Sequence, residues 1–210
     1  MFKTIEKDVK DELIEKKSKF IAHVFYVETT TEAEEKLEAI KKEYHDARHN
    51  CYAYRVVEEG SIVQKSSDDG EPSGTAGSPM LTILSKNEIA NVLVIVTRYF
   101  GGILLGTGGL VRAYSDVTSN ALTKAKVITM ESGYEIEVIL TYSELENFKY
   151  FCRQNNVKIK KEDYLENIKL IIECSEENKE KIQQKYINWN QNLLEMRIIR
   201  KKYIEKNIEK

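Results

Sequence analysis

The first half of the chain alternates between strand-like and helix-like patterns of apolar residues. Residues 20–26 are apolar at almost every position, which is typical of a largely buried strand. A Thr31-x-x-Glu34 capping box precedes apolar residues at helical spacing and predicts a helix that ends near residue 45. Residues 51–57 and 62–65, separated by a short polar turn, predict a β-hairpin.

Glycine and proline interrupt the pattern in the middle of the chain. Residues 68–79 are rich in both and predict an ordered loop or the entry to a helix. Residues 91–98 are mostly β-branched or apolar and predict a fully buried strand. A glycine-rich segment, 101–109, then leads into residues 110–124, which have apolar side chains on one helical face.

The second half has a simpler order of elements: strand, helix, strand, strand, helix, strand. This order matches the ferredoxin-like βαββαβ motif, a scaffold that hosts many unrelated functions. The predicted elements are a strand at 136–140, a helix capped by Ser143-x-x-Glu146, strands at 157–165 and 168–174, a helix that begins at Ser175, and a closing strand at 194–198.

The length of 210 residues suits two domains of ordinary size. Nine of the ten glycines lie between Gly60 and Gly109, and only Gly133 lies beyond them, between a helical pattern and a strand pattern. We therefore predict an α+β protein with a first domain over residues 1–130 and a ferredoxin-like second domain over residues 134–210.

The charge and cysteine content narrow the classes of function. The chain has 32 basic and 34 acidic residues, so no overall basic field would attract a polyanion. Its three cysteines are widely spaced, which favours buried thiols over a disulfide framework or a zinc site. The N-terminus lacks a signal-peptide pattern, and the longest apolar run, 92–96, is far shorter than the ~18 residues of a membrane span. We expect a cytoplasmic protein without membrane contact, and the oligomeric state stays open.

The glycine-rich segment is the best candidate for a binding site. A buried strand, a glycine-rich loop and a helix start together can present free backbone N–H groups and a helix dipole to an anion. Arg98 and Arg112 bracket the loop, and each could bind phosphate or carboxylate through a forked pair of N–H groups. The alternative is that the glycines serve tight turns and close packing of helix on sheet.

Two further polar stretches allow chemistry but do not require it. Asp68, Asp69 and Glu71 could hold a hard cation or act as general acids and bases, yet Asp and Gly are also what a turn and a helix cap need. His49 and Cys51 could form a base and a nucleophile, but no third group that would orient them is evident, so packing is the favoured interpretation.

Basic residues also recur in the second half, at 158–161 and 197–202. The ferredoxin-like pairing would place both groups on neighbouring strands, where they could meet a phosphate backbone. Solvated surface charge is the simpler explanation.

Three motif blocks, residues 48–55, residues 68–77 and residues 96–102 through 106–114, resemble the signature blocks of the YigZ/IMPACT family. The resemblance implies a ribosomal-protein-like α+β first domain and, in bacterial members, a ferredoxin-like second domain similar to a domain of elongation factor G. It also implies a link to translation, since eukaryotic members act in translational control and bacterial members look like proteins associated with RNA or the ribosome.

We therefore expect a translation-associated regulatory protein that binds RNA, the ribosome or a translation factor through an anion-binding surface. The alternatives are an enzyme acting on a small phosphorylated or peptide substrate, and a protein-interaction scaffold. No catalytic residue, metal or cofactor is predicted. The expected site residues are Arg48, His49, Asp69, Glu71, Thr97, Arg98, Tyr99, Gly101, Gly102, Gly106, Gly108, Gly109 and Arg112.

Overall fold

A computed structural model describes residues 1–187 and 193–206 of the chain. These residues divide into two compact units, residues 2–128 and residues 129–210 together with Met1. The expected second domain includes residues 188–192 and 207–210, which lie outside the described residues. Within the described ranges, no helix is both long enough and apolar enough to cross a bilayer.

The first unit is built on a five-stranded antiparallel sheet. The strands of this unit are β1 (Phe2–Ile5), β2 (Val9–Glu15), β3 (Ser18–Tyr26), β4 (His49–Glu58), β5 (Ser61–Ser67) and β6 (Val92–Tyr99), and its helices are α1 (Thr30–Glu43), α2 (Gly77–Lys86) and α3 (Gly106–Lys124). The strand order in the sheet is β2-β3-β6-β4-β5. The short strand β1 lies outside this sheet, next to residues 88–90, with which Lys3 exchanges backbone hydrogen bonds.

Helices cover both faces of this sheet. On one face, α2 and α3 pack over a core that includes Phe20, Val94 and Tyr114. On the other face, α1 packs over a smaller core that includes Leu37 and Ile95. Because the central strand β6 is covered on both faces, it consists almost entirely of buried apolar residues, as its sequence predicts.

The second unit has the strand order β10-β7-β9-β8, with every pair antiparallel. This is the ferredoxin-like arrangement, so the predicted α+β fold class is confirmed. Its core is formed by one face of β7 and β9 together with α4 and α5 and includes Ile136, Leu170 and Phe148. The elements are β7 (Val127–Leu140), α4 (Leu145–Gln154), β8 (Lys158–Tyr164), β9 (Ile168–Ser175), α5 (Glu176–Ile182) and β10 (Leu193–Glu205).

Two helix starts differ from the expected positions because the capping chemistry differs. The side chain of Thr29, not Thr31, caps α1 by accepting a hydrogen bond from the Glu32 N–H at 3.1 Å. Ser143 caps no helix, because residues 142–144 form a 3₁₀ turn that leads directly into α4. Ser175 caps α5 as predicted.

Gly133 lies within strand β7 rather than in a linker between the units. A Cβ atom at this position would lie 2.6 Å from the Ile204 side chain and 2.7 Å from the Cys174 carbonyl oxygen. The glycine therefore permits close packing inside the second unit.

Candidate functional site

Four turns and strand ends of the first unit meet at one end of its sheet, which we call the sheet end. β2 ends there and turns through Lys16 and Lys17 into β3, β6 ends at Tyr99, and β4 begins at His49. The loop that follows β5 starts at the same end, because Ser67 pairs with Tyr52 near the start of β4. The three motif blocks of the sequence are thus brought together.

A buried ion pair joins two of these blocks beneath the sheet end. Arg98 Nη1 lies 2.6 Å from Glu71 Oε1, and the two side chains are only 7% and 3% exposed. The Tyr114 hydroxyl donates a second hydrogen bond to the same carboxylate oxygen at 2.9 Å. Arg98 also donates to Ser18 Oγ at 3.3 Å. The guanidinium group therefore has protein partners and points into the fold.

Asp68 organises the loop between β5 and α2. Its carboxylate accepts hydrogen bonds from the backbone N–H groups of Gly74, Ala76 and Gly77 at 2.8 to 2.9 Å. Burial by itself would raise the pKa of Asp68, but these three N–H groups outweigh it and hold the pKa below its ordinary value. This carboxylate therefore serves as the cap for the start of α2.

Asp69 and its neighbours fasten the same loop to the sheet. Asp69 accepts a hydrogen bond from the Asn50 N–H at 2.7 Å, and its carbonyl oxygen lies 2.8 Å from Nδ1 of the buried His49. The fully buried Thr97 donates to the side chain of Asn50 at 2.7 Å. The predicted site residues His49, Asp69 and Thr97 are thus adjacent and bonded to the protein itself.

The Cys51 thiol lies inside this network and is buried. Its sulfur is 2.9 Å from the Asp68 carbonyl oxygen and 3.3 Å from the Tyr114 hydroxyl. Burial raises the pKa of Cys51 to about 12 and raises the pKa of Tyr114 as well. A thiol with this pKa carries almost no thiolate at neutral pH, so the arrangement does not suit a cysteine nucleophile.

The glycine-rich segment begins at the sheet end, where its first glycine packs very closely on the β2–β3 turn. A Cβ atom on Gly101 would lie 2.0 Å from the carbonyl carbon of Lys17, and the Gly101 N–H donates to Ser18 Oγ at 3.2 Å. Gly102 and Gly106 have positive φ angles of 84° and 74°. The packing interpretation therefore holds for Gly101, and a turn interpretation holds for Gly102 and Gly106.

Helix α3 begins at Gly106, inside the glycine-rich segment and earlier than the sequence pattern predicts. No side chain caps its first turn. Thr107 and Gly108 are exposed, and a Cβ atom on Gly108 would meet nothing within 4 Å, whereas one on Gly109 would lie 3.0 Å from Leu105 Cβ. The amide groups of this turn therefore form a surface with a partial positive charge.

The remaining predicted residues lie at the rim of the sheet end. Arg112, in the first turns of α3, and Arg48, just before β4, are both exposed. Neither has an ion pair or hydrogen bond within the described ranges 1–187 and 193–206. The Tyr99 hydroxyl donates to Asp46 at 2.8 Å, which raises the pKa of Tyr99 to about 12.

Two features of the sheet end escaped prediction from the sequence. The exposed Lys16 and Lys17 are separated by about 80 residues of chain from the glycine-rich segment and become its neighbours only when β3 pairs with β6. Several exposed apolar side chains, Phe100, Ile103, Leu104 and Val111, accompany the glycines. Lys16-Lys17 between two strand patterns was the only available signal for a charged turn.

Four of the basic residues in 158–161 and 197–202 pair with acidic neighbours. Oε1 of Glu173 lies 2.8 Å from Nζ of Lys202 and 3.9 Å from Nζ of Lys160. Nε of Arg200 lies 2.9 Å from Oε2 of Glu135. Cations with such partners attract phosphate weakly, which favours solvated surface charge over RNA binding at these four positions. In the described parts of either unit, no cluster of three His, Cys, Asp or Glu side chains is suited to a metal ion.

Comparisons with known proteins show the family of the chain. The Impact N-terminal domain matches residues 16–122, and a domain of unknown function, DUF1949, matches residues 138–190. The chain is 40% identical over 165 residues to the IMPACT family member YvyE of Bacillus subtilis, covering 79% of this chain and 76% of the relative. It is 37% identical over 150 residues to the IMPACT family member YigZ of Escherichia coli, covering 71% and 74%.

A solved structure described as that of a hypothetical protein superimposes with a TM-score of 0.65 at 29% identity, covering 94% of this chain and 95% of the other. The match therefore extends over both units and not over the signature blocks alone. The resemblance that the signature blocks suggested is confirmed, and the chain belongs to the IMPACT family.

Proposed function

We propose that the first unit is a non-enzymatic binding module that attaches to a translation component, such as RNA, the ribosome or a translation factor, through an anionic group. The binding surface consists of the uncapped first turn of α3, the exposed Arg112 and the β2–β3 turn with Lys16 and Lys17. The observation on which the proposal depends is that α3 starts inside the glycine-rich segment, with no side chain capping its first turn and with Thr107 and Gly108 exposed.

The distribution of charge at the sheet end supports the binding of an anion. The nearby carboxylates of Asp68, Asp69 and Glu71 already accept hydrogen bonds from the protein, and Glu71 is neutralised by Arg98. The exposed cations have no such partners within the described ranges. The rim of the sheet end therefore offers Lys16, Lys17, Arg48 and Arg112 as exposed cations, even though the chain as a whole has a formal charge of −2.

The same arrangement assigns different roles to the predicted site residues. Arg98, Glu71, His49, Asp69 and Thr97 hold the three motif blocks together from within. The exposed residues contact the partner. They are Lys16, Lys17, Arg48, Gly102, Gly106, Gly108 and Arg112. The enzyme alternative would draw on Asp68, Asp69, Glu71, His49 and Cys51 as acids, bases or nucleophile, and each of these side chains or its adjoining backbone is already bonded to the protein itself.

The translation component of the proposal rests on membership of the IMPACT family, whose eukaryotic members are linked to translational control. The test is sedimentation of the purified protein with ribosomes through a sucrose cushion at low and raised salt. We expect binding that falls steeply with salt and that Arg112→Gln weakens. The matched control is Arg153→Gln, at an exposed arginine near the end of α4 in the second unit.

Three results would argue against the proposal. The first is the absence of sedimentation at low salt, and the second is sedimentation that salt leaves unchanged. The third is equal weakening by Arg112→Gln and Arg153→Gln, because that would move the contact away from the sheet end.

A further inference from the structure

The sheet end carries an apolar ridge that the capture of an anion does not require. Four large apolar side chains within one short segment are exposed: Leu104 at 81%, Phe100 at 50%, Ile103 at 42% and Val111 at 37%. Single exposed apolar residues are common, but four of them along one loop and the helix start that follows it are an unusual concentration, of the kind found at interaction surfaces.

The ridge adjoins the two lysines of the β2–β3 turn. Gly101, between Phe100 and Ile103, packs directly on the backbone of Lys17 and Ser18. Lys16 and Lys17 have φ angles of 45° and 67°, a conformation for which a hairpin turn favours Asn and Gly. Two lysines therefore occupy positions that their backbone conformation disfavours, next to exposed apolar side chains.

Taken together, these features favour a protein partner over a nucleic acid strand. Three of the four ridge side chains are aliphatic and offer no π face on which a base could stack. The one aromatic side chain, Phe100, already has the Arg98 guanidinium 5.7 Å from its ring centroid. Aliphatic contacts flanked by cations are complementary to a peptide segment that combines aliphatic and acidic side chains.

We infer that the sheet end binds a protein segment whose leucine-like side chains contact Phe100, Ile103 and Leu104 while its carboxylates contact Lys16, Lys17 and the start of α3. This inference rests on the proposed function and specifies the partner: the anionic group is a carboxylate of a protein, and the affinity has an aliphatic component as well as an ionic one.

The test uses the full chain and three fluorescent probes of the same length. One is a peptide of alternating leucine and glutamate pairs, the second has serine in place of leucine, and the third is a single-stranded oligouridylate. Fluorescence anisotropy measures binding to the wild type, to Leu104→Ser and to the double variant Lys16→Asn/Lys17→Gly. The matched control is Leu165→Ser, at a leucine of the second unit that is 69% exposed.

We expect the leucine–glutamate peptide to bind in a salt-dependent way and the serine peptide to bind at least about tenfold more weakly, since burial of apolar side chains contributes to affinity. Leu104→Ser and Lys16→Asn/Lys17→Gly should each weaken the first peptide by about tenfold, corresponding to 1.4 kcal/mol, and Leu165→Ser should not. Either of two results would overturn the inference: oligouridylate binding that is tighter than peptide binding and unaffected by Leu104→Ser, or no difference between the leucine and serine peptides.

Sedimentation with ribosomes separates failure of this inference from failure of the proposed function. Loss of sedimentation in Lys16→Asn/Lys17→Gly but not in Leu104→Ser would leave the proposed function intact and remove the aliphatic contact. A wild-type protein that fails to sediment but binds the leucine–glutamate peptide would exclude the ribosome from the proposed function and leave a translation factor as the partner. The peptide result alone decides which side-chain chemistry the sheet end binds.

Discussion

Replacing Arg98 with methionine removes the only cation that contacts the buried carboxylate of Glu71 among the described residues. The two side chains are 2.6 Å apart and almost completely buried, and Tyr114 donates to the same carboxylate. Because methionine has a similar length but no charge, the variant leaves a carboxylate in the interior without its counter-ion.

The expected cost follows from the burial of this pair. Breaking a buried ion pair by removing one partner typically lowers the free energy of unfolding by about 3–5 kcal/mol. With a urea dependence of about 2 kcal/mol per molar, the midpoint of the first unit should fall by roughly 2 M. Arg112→Met, at an exposed arginine, should change the free energy of unfolding by less than about 0.5 kcal/mol.

Removing both Arg98 and Glu71 tests whether the unpaired charge of Glu71 causes the loss of stability. In Arg98→Met/Glu71→Leu no unpaired charge stays buried, so the double variant should be more stable than Arg98→Met alone. Tyr114 then lacks its acceptor, which leaves a cost of about 1–3 kcal/mol. The interaction free energy between the two positions, taken from a double-mutant cycle of unfolding free energies, should therefore differ clearly from zero.

The cysteines allow the two units to be followed separately. Cys51 is buried in the first unit, and Cys152 and Cys174 are buried in the second. Pulsed thiol labelling at increasing urea, read by mass spectrometry of the three peptides, gives a midpoint for each unit. We expect Arg98→Met to shift the Cys51 midpoint and not the other two.

An unchanged Cys51 midpoint in Arg98→Met would refute this reasoning. If that variant also lost its sedimentation with ribosomes, Arg98 would be a contact residue, as the sequence alone suggested, rather than part of the internal support of the sheet end.

Three further predictions concern the neighbours of this pair. Lys16→Asn/Lys17→Gly should raise the free energy of unfolding of the first unit by about 1 kcal/mol, since both positions have positive φ. The same variant should weaken sedimentation with ribosomes. A lower free energy of unfolding would contradict the first expectation. Gly101→Ala should destabilise the first unit severely in thermal unfolding, because its Cβ would overlap the Lys17 backbone, whereas Gly108→Ala should be tolerated. Because the folded-state pKa of Asp68 is depressed, its stabilisation is present above the unfolded-state value and is lost as pH falls below it; urea midpoints should therefore fall less in Asp68→Asn than in the wild type as pH drops below about 4.

Elements with strong local patterns could be predicted from the sequence. The buried strand β6 consists of consecutive β-branched and apolar residues, and the strand and helix order of the second unit follows from alternation and helical spacing. The motif blocks also predicted that residues far apart in the chain would meet at one site, and Arg98, Glu71 and His49 do lie together.

What could not be predicted depends on tertiary contacts. The burial of Arg98 follows from its pairing with Glu71 under α3, and nothing in the local sequence distinguishes it from the exposed Arg112. The early start of α3 at Gly106 was hidden because glycine is unfavourable within helices. Lys16 and Lys17 join the site only through strand pairing.

Lysine footprinting in the presence of purified ribosomes tests the binding surface most directly. An acylating reagent labels exposed amines, and mass spectrometry gives the rate at each lysine with and without ribosomes. Ribosomes should protect Lys16 and Lys17 strongly, while the exposed Lys158 of the second unit should be labelled at an unchanged rate. Ribosome-bound protein in which Lys16 and Lys17 react as fast as in the free protein would contradict this expectation.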